Sequence, residues 1–278
     1  MSHLQPIRVM HLITGLGVGG AETMLAKLLA ASSRSRFTST VVSMTEPGPL
    51  ARTIQEAGVP VHSLGLTRGV PRLSALPKLH KLIRDFRPAV LQTWMYHADI
   101  LGVLAARAAR VPALVWNIRC SDLDFPNTGL SLRSVFAVHA FLSRFTSATI
   151  ANSSAGMSFH QRHGHHPPRW AQIPNGFDLE RFRGDEGLRR QGRAELGLGT
   201  DEIAIGMVAR FDQFKDHTTF LAAAKLLRDR QPKSIFILAG KDMTKDNSAI
   251  NRQVKDAGLG SRVRLLGEYR DPSRLFPC

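Results

Sequence analysis

Cysteine is nearly missing from this chain of 278 residues, which holds only Cys120 and Cys278. Two thiols so far apart build no disulfide framework, which points to a reducing compartment. Long apolar runs are missing too. No stretch of 18 or more apolar residues occurs, which excludes an ordinary membrane-spanning helix. Aromatic residues make up 7% of the chain and are not interleaved with basic ones, as stacking on single-stranded nucleic acid would require. There is no repeat of fixed period and no low-complexity tract. A secretion signal is not expected either. Arg8 precedes an apolar stretch from Val9, but His11 and Thr14 interrupt it and Gly15 to Gly20 stand where an apolar core should continue. The protein is therefore expected in the cytoplasm.

Negative charge is also in short supply. Lys and Arg number 37 against 22 Asp and Glu, a net charge of +15. Residues 1–179 carry 18 basic and 8 acidic side chains, and residues 180–278 carry 19 and 14. A basic half suits an anionic membrane surface or a phosphorylated ligand, or simply a solvated surface. Apolar residues make up 43%, enough for real cores, and the length suggests about two domains.

Short apolar strands alternate with helical segments. Strands are expected at Ile7–Ile13, Thr38–Met44, Val61–Leu64, Ala89–Gln92, Ala113–Asn117, Ala148–Ala151 and Trp170–Ile173. Helices are expected between them at Ala21–Ala31, Leu50–Ala57, Leu73–Phe86, Ala98–Ala109, Leu132–Phe145 and Ser153–His163. Such β-α-β runs imply a parallel sheet with helices on both faces. Pro174–Gly187 reads as a connection between domains. Alternation restarts with strands at Ile203–Val208, Ser234–Ala239 and Val263–Leu266, and helices at Thr218–Arg228 and Ala249–Ala257. Three strands are few for an open doubly wound sheet. This region is expected to lean on a partner or to be incomplete, with an aggregation-prone edge.

Several motifs sit at strand ends. Gly15-x-Gly17-x-x-Gly20 lies between the first strand and the first helix, where glycines let a backbone approach a phosphate or sugar. A dinucleotide site also needs an acid closing the second strand, and Glu46 lies late for that. In Gly19-Gly20-Ala21-Glu22 the carboxylate falls in the first helical turn, where it suits the helix dipole. Ile173-Pro174-Asn175-Gly176-Phe177-Asp178 follows a strand at the junction, and Asn-Gly alone would be a simple bend. Arg210 and Lys215 follow the first strand of the second region and suit a diphosphate clamp, or are two exposed loop cations. His97, between a strand and a helix, is a candidate for sugar contact, or only a helix-start histidine. Asp122-Leu123-Asp124 mimics a metal-binding Asp-x-Asp. His160, His163, His165 and His166 crowd a helix end that is expected to be solvated, and a zinc site there lacks a carboxylate or cysteine at ligand spacing. No Gly-x-Ser-x-Gly elbow or Cys-x-x-Cys pair appears.

Taken in order, Gly19-Gly20-Ala21-Glu22, Ile173 to Asp178 with Phe182, Arg210 with Lys215, Leu238-Ala239-Gly240 and Leu265-Leu266-Gly267 make the chain, from about Ile7 to Arg274, resemble the retaining glycosyltransferases of family 4. The resemblance implies an α/β, GT-B-like fold with two Rossmann-like doubly wound domains, residues 1–179 and 180–278, the second incomplete. It implies that the first domain binds a glycan or lipid-linked acceptor and the second a nucleotide diphosphate sugar. Arg210 and Lys215 would hold the diphosphate and stabilise the leaving group. His97 is expected to join Arg210 and Lys215 as a catalytic residue, and Gly19, Gly20, Glu22, Arg119, Asn175 and Gly176 would contact donor or acceptor. No metal or other cofactor is implied, and no nucleic acid. The family's late Glu-x7-Glu element finds no match before Cys278, so a C-terminal truncation is expected. The family often places a histidine after the strand Ala113–Asn117, where this chain has Ile118-Arg119-Cys120-Ser121, with Cys120 a candidate for that position. The rival readings are a dinucleotide-dependent oxidoreductase using Gly15 to Gly20, and a catalytically dead binding module.

Overall fold

The computed structural model describes residues 5–67, 75–120, 129–269 and 271–278, with Ser131 described by its backbone only. The chain divides into two compact units, Met1–Gly176 and Phe177–Cys278. The division falls within the expected connection Pro174–Gly187, three residues before the expected boundary after Leu179.

The first unit alternates strictly. Its elements are β1 (Ile7–Ile13), α1 (Gly20–Ala31), β2 (Phe37–Thr45), α2 (Pro49–Glu56), β3 (Val61–Leu66), α3 (Ala75–Phe86), β4 (Val90–Trp94), α4 (Tyr96–Ala108), β5 (Ala113–Ile118), α5 (Leu130–Leu142), β6 (Ala148–Ala151), α6 (Ser154–Arg162) and β7 (Trp170–Gln172). The seven strands are all parallel, in the order β3-β2-β1-β4-β5-β6-β7. Chain direction across the sheet therefore reverses between β1 and β4. In such sheets the crevice at the strand carboxyl ends lies at that reversal. Alternate strand residues feed two cores. Met10, Leu12, Leu91 and Trp116 pack with α3 and α4 on one face. Ile13, Val41 and Trp94 pack with Leu25 and Leu29 of α1 and Ile54 of α2 on the other. Burial on both faces is why the middles of these strands are mostly apolar.

Between α4, α5 and α6 the packing is polar. The crowded histidines are only in part a solvated helix end: His163 and His166 are exposed, whereas His160 and His165 are fully buried. His165 Nδ1 lies 3.0 Å from the His160 carbonyl oxygen and must donate to it. His165 Nε2 then accepts from His139 Nδ1 at 2.8 Å. That leaves His139 Nε2 as an acceptor toward Asp99 Oδ2 at 2.9 Å, so the proton on this contact belongs to the Asp99 carboxyl group. Thr93 Oγ1 donates to Asp99 Oδ1. His160 Nδ1 donates to the Gly156 carbonyl at 2.7 Å, so its Nε2 accepts from the Tyr96 hydroxyl at 2.9 Å. Burial raises the Asp99 pKa well above the usual carboxylate range. It lowers His139 and His165 to about 3 and His160 to about 4. The network is thus electrically neutral, as its dry surroundings require.

The second unit contains α7 (Glu186–Glu195), β8 (Ile203–Val208), α8 (His217–Arg230), β9 (Ser234–Ala239), α9 (Ser248–Asp256) and β10 (Val263–Leu265). Its parallel sheet has the order β10-β9-β8, with β9 wholly buried at the centre. Leu221, Phe236, Leu238, Met243, Ile250 and Leu259 form the main core. α7 was not expected from its sequence, in which charged residues and two glycines leave no apolar stripe. Asp185 caps it by accepting from Leu188 N at 2.7 Å. Buried Arg193 ties it to the carbonyls of Gly199, Glu202 and Cys278. No described helix is long and apolar enough to cross a membrane.

The histidine network makes stability depend on pH. His11, lowered to about 4 by burial, belongs with His139, His160 and His165. Below pH ~6.5 the unfolded chain takes up protons on these rings that the folded chain refuses, so stability falls with pH. Urea unfolding should show a loss of about 1.4 kcal/mol per pH unit for each such ring between pH ~6.5 and ~4. Asp99 works in the opposite sense: its raised pKa stabilises fully below its ordinary value and less as pH rises. At pH 7, Asp99→Asn should be nearly neutral, because an amide can donate to His139 and accept from Thr93. Asp99→Leu leaves both partners unpaired and should cost about 2–5 kcal/mol in the same assay.

Candidate functional site

The glycine loop between β1 and α1 is shaped from within. The Glu22 carboxylate lies against Gly19, and a side chain at position 19 would have to displace it. The positive end of α1 therefore already faces a carboxylate of its own helix. Leu16 and Gly17 press their backbone against Gly48, where no Cβ would fit, and Leu50 N donates to the Leu16 carbonyl at 3.1 Å. β2 runs on to Thr45, so Glu46 follows the strand directly rather than lying late. Its side chain stands near Gly65 of β3. With Glu22 at the helix end and Leu16 against Gly48, this loop lacks the open anion seat of a dinucleotide site. Gly20 opens α1, and a Cβ there would meet only open space.

The end of β4 is strained. Met95 has φ 73° and ψ 156°, a left-handed backbone that a non-glycine residue holds at a cost of about 1–3 kcal/mol. It is held by Asp99 N donating to the Met95 carbonyl at 3.0 Å and by packing of its side chain on the core of α1 and α2. The kink starts α4 at Tyr96, which places His97 inside the first helical turn, exposed, rather than in a linker.

Arg119 follows β5 and is fixed from three sides. Its Nε donates to Asn117 Oδ1 at 2.7 Å, and its Nη1 donates to Asn175 Oδ1 at 2.5 Å. The guanidinium carbon sits 5.1 Å from the ring centre of buried Trp94, a cation–π contact. Burial draws the Arg119 pKa down from its ordinary value, and no carboxylate among the described residues pairs with it. Asn175 and Gly176 lie on an exposed stretch after β7. Cys120 turns into the cluster of Tyr96, Phe136 and Phe159, where it acts as an apolar side chain. Asp122 and Asp124 lie outside the described residues. Among the described residues no group of three or more His, Cys, Asp or Glu is placed to hold a metal. A groove of about 800 Å³ opens at the opposite end of β4 and β5, against Arg87, Pro88, Arg110 and Pro112, away from these groups.

In the second unit the loop after β8 carries Arg210 and Lys215. Arg210 donates from Nε to Asp212 Oδ2 at 3.0 Å, and its Nη2 lies 2.9 Å from the same oxygen. The other Asp212 oxygen accepts from Phe214 N at 2.9 Å. That backbone donor, with Arg210 and Lys215 nearby, holds the Asp212 carboxyl below its usual range. Gly240 ends β9 at φ 146°, and a Cβ there would strike the Ala209 carbonyl and Arg210 N. Its own N donates to the Gly267 carbonyl at 2.7 Å. The glycines of Leu238-Ala239-Gly240 and Leu265-Leu266-Gly267 thus set the backbone from which Arg210 projects.

Residues 18–181 match the family described as Glycosyltransferase Family 4. This chain belongs to that family. It is 26% identical over 270 residues to EpsF of Bacillus subtilis, described as a glycosyltransferase, spanning 94% of this chain and 68% of EpsF. It is 27% identical over 207 residues to an Escherichia coli UDP-Gal:α-D-GlcNAc-diphosphoundecaprenol α-1,3-galactosyltransferase, spanning 72% of this chain and 52% of that protein. The structure superposes on Anabaena HepE, crystallised with UDP, with a TM-score of 0.80 at 21% identity, over 97% of this chain and 71% of HepE. The fold is α/β of the GT-B type.

Within this family 4 chain the structure joins Arg119 to Asn175, and sets Arg210 and Lys215 on one loop. It leaves His97, Gly176 and the glycine loop at other points of the strand-end surface. Sequence reasoning missed Trp94, Asn117 and Asn152. The available signal was a polar residue at the end of an apolar strand, Asn117 next to last in β5 and Asn152 just after β6. Gly240→Ala should lose about 1–3 kcal/mol in urea unfolding, because the Ala209 backbone must move. Gly260→Ala meets only open space and should stay within about 0.5 kcal/mol.

Proposed function

We propose that this chain transfers a sugar, with retention, from a nucleotide diphosphate sugar to a glycan or lipid-linked acceptor in cell-envelope or exopolysaccharide biosynthesis. The observation that carries this reading is the loop at the carboxyl end of β8, where two cations stand on a backbone set by Gly240 in a chain of glycosyltransferase family 4. The UDP and UDP-glucose complexes of HepE and the name of the E. coli relative favour a uridine diphosphate sugar as donor.

The second unit then binds the nucleotide. Arg210 and Lys215 offer N–H donors and positive charge to the diphosphate, and that charge is worth most as the leaving group gains electrons. The departing phosphate takes the acceptor proton, so neither metal nor cofactor enters. The first unit holds the acceptor, with Gly19, Gly20, Glu22, His97, Arg119, Asn175 and Gly176 as its candidate contacts. The basic first unit suits an anionic surface, and the working place is the cytoplasmic face of the membrane, where the protein sits peripherally.

Titration with UDP tests the donor half. Arg210→Ala combined with Lys215→Ala should weaken UDP by about a hundredfold, as two charge-assisted hydrogen bonds are removed. Unchanged UDP affinity in that variant, or binding of NAD in place of UDP, would overturn the reading.

A further inference from the structure

The ends of β5, β6 and β7 bring a cation and an unpaired acceptor to adjacent positions. Strand register pairs Ile118 with Ala151, and Ala151 with Gln172. One residue further on stand Arg119 after β5 and Asn152 after β6, while Asn175 lies a few residues past β7. Asn117, Asn175 and the Trp94 ring fix the guanidinium of Arg119, yet its Nη2 has no hydrogen-bond partner among the described residues. Asn152 Oδ1 is buried and equally without a partner. Among the described residues the neighbourhood offers no neutralising charge. From Phe86 to Phe177 the only described carboxyl group is Asp99, which is buried and carries its proton on the contact with His139.

We propose that Arg119 and Asn152 bind an acceptor whose sugar is carried on a phosphate, Arg119 taking the phosphate and Asn152 a sugar hydroxyl. The proposal rests on the glycosyltransferase reading above and narrows its acceptor. A planar guanidinium held in place matches a phosphate in shape and charge, with little entropy left to lose. A lone amide oxygen can only accept, so it calls for a donor such as a hydroxyl. A neutral glycan would leave a half-buried cation uncompensated, and a bare lipid phosphate would leave Asn152 unpaired.

The test titrates the 278-residue chain with glucose 1-phosphate, inorganic phosphate and UDP, in unsubstituted form and as Arg119→Gln, Asn175→Asp and Asn152→Ala. Asn175→Asp keeps the guanidinium but sets a carboxylate against it, on an exposed stretch that tolerates exchange. Both Arg119→Gln and Asn175→Asp should weaken glucose 1-phosphate by about tenfold or more. Asn152→Ala should weaken glucose 1-phosphate by about fivefold while inorganic phosphate is unaffected. UDP should stay within about twofold in all three. Glucose 1-phosphate affinity that is absent, or unmoved by Arg119→Gln and Asn175→Asp, overturns the proposal. So does a parallel loss of UDP, which would assign Arg119 to the nucleotide. If Arg119→Gln fails to fold in a melting experiment, Asn175→Asp decides alone. Arg119-dependent binding of glucose 1-phosphate by a chain that does not bind UDP would instead overturn the glycosyltransferase reading and leave this site standing.

Discussion

One proton, on the 2.9 Å contact between Asp99 and His139, holds the far half of the first unit together. Asp99 belongs to α4 and His139 to α5, and His139 passes the contact on to His165 beyond α6. The same carboxyl group takes the Thr93 hydroxyl of β4, while the Asp99 backbone N holds the Met95 carbonyl. The strained turn that starts α4, and with it the position of His97, therefore depends on a residue neutral by necessity. Charging any member would put an uncompensated ion into a dry interior.

Strand ends do the positioning elsewhere. β5 projects Arg119, β6 ends at Asn152, and the segment after β7 brings Asn175 back to clasp the guanidinium. Nothing in the chain from Ala113 to Gly176 brings these groups together by local sequence. The parallel register does so, because each strand is added to the sheet in turn. The second unit uses the same device with different atoms, as Gly240 clears space for the backbone of Ala209 and Arg210.

Strands and helices were largely legible in the sequence, because burial on both sheet faces writes apolar runs and helical stripes that alternate. α7 was not, since its stability comes from Asp185 at its cap and from Arg193 reaching distant carbonyls, and neither shows as periodicity. The histidines beyond α6 misled for a related reason. His160 and His165 look solvated until Tyr96 and His139, 64 and 26 residues earlier in the chain, supply their partners. Of the site, the residue types were legible: Arg119, Asn175, Arg210 and Lys215 all stand at strand ends. Their fixing partners Trp94 and Asn117 were not, because neither residue type near a strand end signals that a guanidinium packs against it. Nor did the sequence show that Glu22 turns back onto Gly19.

The pairing of Arg210 with Asp212 has a consequence for exchange. The Phe214 backbone keeps Asp212 ionised, so Arg210 always has a resident anion. Under the proposed function an arriving diphosphate replaces one counter-ion by another instead of meeting a bare cation. Its affinity is then the difference between two attractions rather than the whole of one. On that reading Asp212 reclaims Arg210 when the nucleotide departs, so the guanidinium keeps a counter-ion at both stages.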